Sequence, residues 1–284
     1  MSAGVLDRAA AVERPGGGPA PFAAVLSHEV RKLLTQWRIR IVLLVAALAP
    51  AGFVAGVSTQ STLPTDTVFG RWMLASGWAG PLVVLSFCGT WALPLLTALV
   101  AGDVFAVEDR LGTWRHLLLT VRSRRRIFWA KVLASSAVLL VATALLGASA
   151  TLGGLAAVGD HPLVGLDGAT LTPGAAAVRV LAAWLCVLAP TAAFAGIGLL
   201  GSVHLGRSPM GLLLPAVVAL ALQVVQLLPL PAVVRAASPG AAFTAWRGLF
   251  TGPVQTRSLV LGVAVALAWT LVTVALARRR FVRR

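Results

Sequence analysis

Side chains able to do chemistry are few in this sequence and widely scattered. The four histidines, His28, His116, His161 and His204, fall in separate segments. There is no HExxH pair for zinc, no CxxC motif and no acidic pair at metal-ligand spacing within a helix. Cys88 and Cys186 lie inside apolar runs, where a thiol behaves as a small hydrophobe. No GxxxxGK[ST] phosphate loop occurs, so the chain offers no nucleotide site of the familiar kind. The nine acidic residues lie in tails, loops or the ends of apolar runs. None sits mid-run, where the proton or sodium relay of a secondary transporter needs a carboxylate.

Two polar features remain. Gln223 and Gln226, three residues apart inside an apolar run, share one helix face; they serve either hydrogen bonds between helices or direct contact with a transported molecule. The other is the stretch from Glu108 to Lys131, EDRLGTWRHLLLTVRSRRRIFWAK, a basic island between long hydrophobic runs. An arginine at the centre of a bilayer costs at least ~2.5–3.5 kcal/mol, so the island is expected in water at a membrane face. Within it, Gly112 permits a sharp change of direction and Thr113 is placed to cap a following helix. Trp114, Leu117, Leu118 and Val121 recur at three- and four-residue spacing, an apolar stripe suited to a groove on a partner protein. Arg122 to Arg126 are suited to lipid phosphates or an acidic partner surface.

The elements that position these residues follow from composition. The chain is 58% hydrophobic and 12% charged, with mean hydropathy +0.89, which predicts an all-α, polytopic membrane protein. In a soluble chain a net charge of +15 would suggest nucleic acid. Here the cations sit at the ends of apolar runs, which assigns them to membrane topology and anionic lipid headgroups, with no nucleic-acid partner. Residues 1–20, with PGGGP and no apolar core, read as a disordered cytoplasmic tail and not a signal peptide. Residues 21–38 read as an amphipathic helix in the headgroup plane, with Val25, Leu33 and Trp37 on the apolar side and Glu29, Lys32 and Arg38 on the polar side.

A six-span domain is expected over 39–284, with spans at about 39–57, 80–102, 132–158, 175–202, 210–234 and 258–277. Pro94 and Pro190 are expected to break the second and fourth spans. The small residues of GASATLGG should let the third span approach a neighbour closely. Residues 159–173 read as a short loop, and 235–257 as an interfacial or re-entrant segment. Six spans put both termini on one side. The N-terminal region, the island, Arg207 and the terminal RRRFVRR outweigh the basic residues of the opposite loops, Arg71, Arg179, Arg235, Arg247 and Arg257, so that side is predicted to be cytoplasmic. The absence of Asn and Tyr and the excess of Arg over Lys suggest a GC-rich bacterial genome.

The island also resembles a known pattern. Glu108, Gly112-Thr113-Trp114, Leu117-Leu118, Arg124 and Lys131 are similar to the "E…GT…LL…P…R…K" signature between the second and third spans of ABC-2 type exporter permeases. The resemblance implies a cytoplasmic coupling helix that docks on a separate ATP-binding subunit through Glu108, Gly112, Thr113, Trp114, Arg115, Leu117, Leu118, Arg124 and Lys131. It further implies pairing with a second permease copy, in a homo- or heterodimer, in the cytoplasmic membrane. ATP and Mg would be bound by the partner, this chain holding no cofactor and catalysing nothing. The family's Pro before the Arg is Val121 here, which should let the coupling helix run on toward Ser123. The rival readings are a membrane-embedded lipid-modifying enzyme, which requires convergent carboxylates or histidines in the folded bundle, and a structural or immunity-type membrane protein without transport.

Overall fold

The computed structural model describes residues 21–60, 67–121, 123–205, 210–229 and 231–283. The expected tail at 1–20, residues 61–66 of the first polar loop and the turn at 206–209 lie outside the described residues. Among the described residues the protein is all-α apart from one short hairpin, and five helical segments are long and apolar enough to cross a membrane: 37–58, 79–111, 124–158, 173–205 and 256–283. Leucines and valines such as Leu44, Leu48 and Val260 point outward, as helices solvated by hydrocarbon require.

Helix α1 (Phe22–Thr35) ends at a bend on Gln36, and α2 (Trp37–Ser58) follows at once. Trp37 and Arg38, read from the sequence as part of the interface helix, therefore open the first span. The inward face of α1 is Val25, Glu29 and Leu33, one turn apart, and it packs on α7. Glu29 thus lies on the buried side and not the polar one, for a reason given by its partner below.

The second span is interrupted as expected, and the mechanism is visible. Helix α3 (Ala79–Phe87) passes through a π-turn at Cys88–Ala92 into α4 (Leu93–Ala101). Pro94 then sits in the first turn of the restarted helix, where its missing N–H costs little. After a turn at 102–105 come two short helices, α5 (Ala106–Leu111) and α6 (Trp114–Val121). Ser123 is extended and its Oγ accepts the Arg126 N–H, capping α7 (Arg124–Val158). Helix α6 thus includes Val121, the position of the missing proline, and the backbone is extended at Ser123.

At 35 residues, α7 is about 52 Å long, well beyond a ~30 Å hydrocarbon core. Its small residues do bring backbones together. A Cβ on Gly153 would lie 2.6 Å from the Ala51 Cα, and one on Gly154 2.2 Å from the Gly77 carbonyl oxygen. Residues 159–173 carry a small antiparallel hairpin, β1 (Leu163–Val164) with β2 (Thr170–Leu171), where the sequence suggested only a loop.

Helices α8 (Pro173–Cys186) and α9 (Leu188–Leu205) form the broken fourth span, with Pro190 in the first turn of α9. Helix α10 (Met210–Leu227) is shorter than the expected 210–234 span. Pro229 and Pro231 end it, although the residues beyond them stay apolar. Helices α11 (Ala232–Ala236) and α12 (Ala242–Ala245), with two 3₁₀ turns, complete the segment before α13 (Thr256–Arg283). Phe243, Trp246 and Phe250 bury the middle of this segment among α8, α9 and α13, whereas α11 is exposed throughout.

The core has two main parts. One gathers Phe69, Leu82, Phe243, Trp246 and Phe250 at the hairpin end. The other gathers Val25, Phe105, Val121, Phe128 and Phe281 where the described chain begins and ends.

Candidate functional site

The second core supports the Glu108–Lys131 island. Two N–H groups at the start of α5, those of Phe105 and Ala106, donate to the Ser202 hydroxyl on α9, each at 3.0 Å. Gly112 ends α5 in the left-handed conformation, φ 66°, and the Thr113 N–H returns to the Glu108 carbonyl at 3.2 Å. The chain therefore turns sharply between α5 and α6, as the glycine suggested.

The charged residues of the island are not all in water. Glu108 is 2% exposed and Lys131 is fully buried. Lys131 Nζ donates to Glu108 Oε1 at 2.8 Å and to Glu29 Oε2 at 2.9 Å. Lys32 also pairs with Glu108, and the Thr113 hydroxyl donates to the same carboxylate. Two carboxylates meet two ammonium groups, so the cluster is neutral, the condition for charges to persist out of water. It joins α1, α5 and α7. A second group sits beside it, where buried Asp103 accepts from Arg38 at 2.8 Å and from Arg110 at 2.7 Å. This one ties the start of α2 to α5.

The apolar stripe also turns inward. Val121 is buried, and Trp114 and Leu117 are half-buried against the same core. The Trp114 ring packs on Phe281 at 5.3 Å between centroids, and its indole N–H donates to Asp109 at 2.7 Å. Phe281 in turn meets Phe105 at 5.0 Å and Phe128 at 5.9 Å. The end of α13 thus braces α6 from within. Leucines facing outward here are Leu111, 65% exposed, and Leu119, 73% exposed. Arg124 is half-buried at the start of α7. The side chains of Arg115 and Leu118 lie outside the described residues.

Glu108, Gly112, Thr113, Trp114, Leu117 and Lys131 are therefore brought together, but by folding on their own chain. Glu108 and Lys131 are buried and Thr113 is half-buried, and all three are tied into the α5–α6 elbow by the bonds above. Sequence reading missed Glu29, Lys32, Asp103, Arg38 and Phe281 as members of this region. Only Glu29 left a local signal, falling four residues after Val25 and four before Leu33.

Gln223 lies elsewhere. It lines a cavity of about 410 Å³ with Thr90 of the π-turn, Phe194, Arg235 and Ser238. Gln226 follows one turn later in α10, its side chain outside the described residues. Among the described residues no group of three histidines, cysteines or acids is placed to hold a metal ion. No protein-family model matches the chain, and no curated protein matches it significantly.

Proposed function

We propose that this chain is the permease subunit of an ATP-binding-cassette exporter of the ABC-2 type. It would cross the cytoplasmic membrane six times, α10 included, with both termini in the cytoplasm. It would work with an ATP-binding subunit and a second permease copy. The observation that carries this reading is the mounting of the α5–α6 elbow. Buried ion pairs and an aromatic brace fix it to α1, α7 and α13, while Leu111 and Leu119 stand free on its outer side. A push on those leucines would be passed to three helices at once, two of them spans, rather than dissipated in a loose loop. Such a rigid-body switch suits energy supplied from outside the chain. The cavity at Gln223, beside a π-turn, is the proposed substrate path.

A lipid-modifying enzyme is less well supported. The carboxylates that converge, Glu29 and Glu108, are neutralised by Lys131 and Lys32, and neither lines the Gln223 cavity.

The test is co-purification in mild detergent followed by mass spectrometry. Recovery of a subunit bearing a Walker-type phosphate loop is expected, and Leu111→Ser with Leu119→Ser should lose it while membrane insertion is kept. Recovery of the permease alone, or capture indifferent to both leucines, would contradict the proposal. Replacing Trp114 or Leu117 would be a poorer test, because both help form the core.

A further inference from the structure

The last two turns of α13 split their side chains between two environments. Ala277 and Phe281 face the core, whereas Leu276, Arg279, Arg280 and Arg283 follow one another at helical spacing on another face. That face borders a cleft of about 630 Å³, whose other walls include Leu200 and Leu205 of α9 and Leu214 of α10. Apart from His204 of α9 the other walls are apolar, and the arginines sit along one side. On the neighbouring side of α13, Arg125 and Arg278 border a second, smaller cleft with the same Arg279 and Arg283.

Among the described residues this positive charge has no acidic partner. Glu29, Asp103 and Glu108, the buried acids at the same end, are engaged by Lys131, Lys32, Arg38 and Arg110. Arg279, Arg280 and Arg283 are exposed, and none pairs with an acid among the described residues. Topology alone asks only for basic residues somewhere near a span end. Here three guanidiniums border a cleft between helices whose walls suit an acyl chain.

We infer that the α9–α10–α13 cleft is a binding site for an anionic phospholipid, its headgroup phosphate held by Arg279, Arg280 and Arg283 and an acyl chain lying against Leu200, Leu214 and Leu276. Guanidiniums recognise phosphate through paired N–H donors, and basic pockets between spans favour anionic headgroups. The site is separate from the Gln223 cavity and stands whether or not the chain transports anything.

Native mass spectrometry of the delipidated full-length protein tests this, with phosphatidylglycerol and phosphatidylcholine of matched chains as probes. Phosphatidylglycerol should bind with clear preference. Arg279→Ala, Arg280→Ala and Arg283→Ala together should remove that preference, a weakening of about a hundredfold if each cation acts as it does near an anionic surface. Leu276→Trp, which fills the cleft without changing charge, should weaken the same lipid. Removing three arginines of the opposite loops, Arg71→Ala, Arg235→Ala and Arg257→Ala, should leave it unchanged. Equal binding of both lipids would overturn the inference. So would equal losses in the two triple variants, or full competition by millimolar inorganic phosphate, which would mark an anion site and no lipid site.

Discussion

The two ends of this bundle are assembled by different forces. Where the described chain begins and ends, α1, α2, α5 and α7 are joined by ion pairs on buried acids: Glu29 and Glu108 with buried Lys131, and Asp103 with the more exposed Arg38 and Arg110. At the hairpin end, backbones touch directly. Gly154 meets the Gly77 carbonyl, Gly153 meets Ala51, and Phe69 packs between Trp246 and Phe250. The acids there, Asp160 and Asp167, bond to the Trp78 indole and the Ala169 amide. Contact packing of this kind tolerates almost no displacement. Ion pairs made by long lysine and arginine side chains can follow small shifts of the helices that carry them. Under the proposed function, the difference would make the hairpin end the anchor and the charged end the place where helices move together.

Three substitutions sharpen that contrast, in descending order of effect. Lys131→Met should be the most damaging, because Glu29 and Glu108 would be left buried with only Lys32, a loss of about 3–5 kcal/mol. Thermal unfolding in detergent, followed by tryptophan fluorescence, should show a large fall in midpoint. Adding Glu29→Gln should restore part of it, since one stranded charge is removed. An unchanged midpoint in the single variant would mean that the ion cluster does not hold α1 in place. At the other end, Gly154→Ala puts a methyl 2.2 Å from the Gly77 oxygen and should cost about 1–3 kcal/mol by forcing α7 away. Its distinguishing sign would be hydrogen exchange that rises around residues 77 and 154 and stays unaltered at the elbow. Gly112→Ala should cost least, about 1 kcal/mol. Nothing lies within 4 Å of a Cβ there, and only the left-handed backbone opposes the change. A midpoint that moved as far for Gly112→Ala as for Gly154→Ala would show that the elbow is packed more tightly than its open surroundings indicate.

How much of this was legible in the sequence depended on whether the deciding contact was local. Apolar runs located the helices, and Pro94, Pro190 and Gly112 marked the breaks, because each acts within one turn of itself. The end of α10 was placed too far along because hydropathy continues past Leu227, and the two prolines that stop the helix carry no hydropathy signal. Glu29 was assigned to the outer face because a carboxylate normally seeks water. Its partner Lys131 is 102 residues away, and only the fold brings the two together. Of the stripe Trp114, Leu117, Leu118 and Val121, the three whose side chains are described, Trp114, Leu117 and Val121, do share one face of α6. The direction of that face was not legible, because Phe281, which receives Trp114, comes from the far end of the chain.

The most direct measurement places a photo-cross-linking residue at position 119, on the outer side of the elbow, and at position 48, on the lipid-facing side of α2. Both side chains are well exposed, at 73% and 62%. If α6 couples this chain to an energy-supplying partner, irradiation of intact cells should join position 119 to a protein carrying a Walker-type phosphate loop. Position 48 should give no such adduct. A permease that cross-links to no such protein from position 119, or equally from both positions, would contradict the coupling role of the elbow.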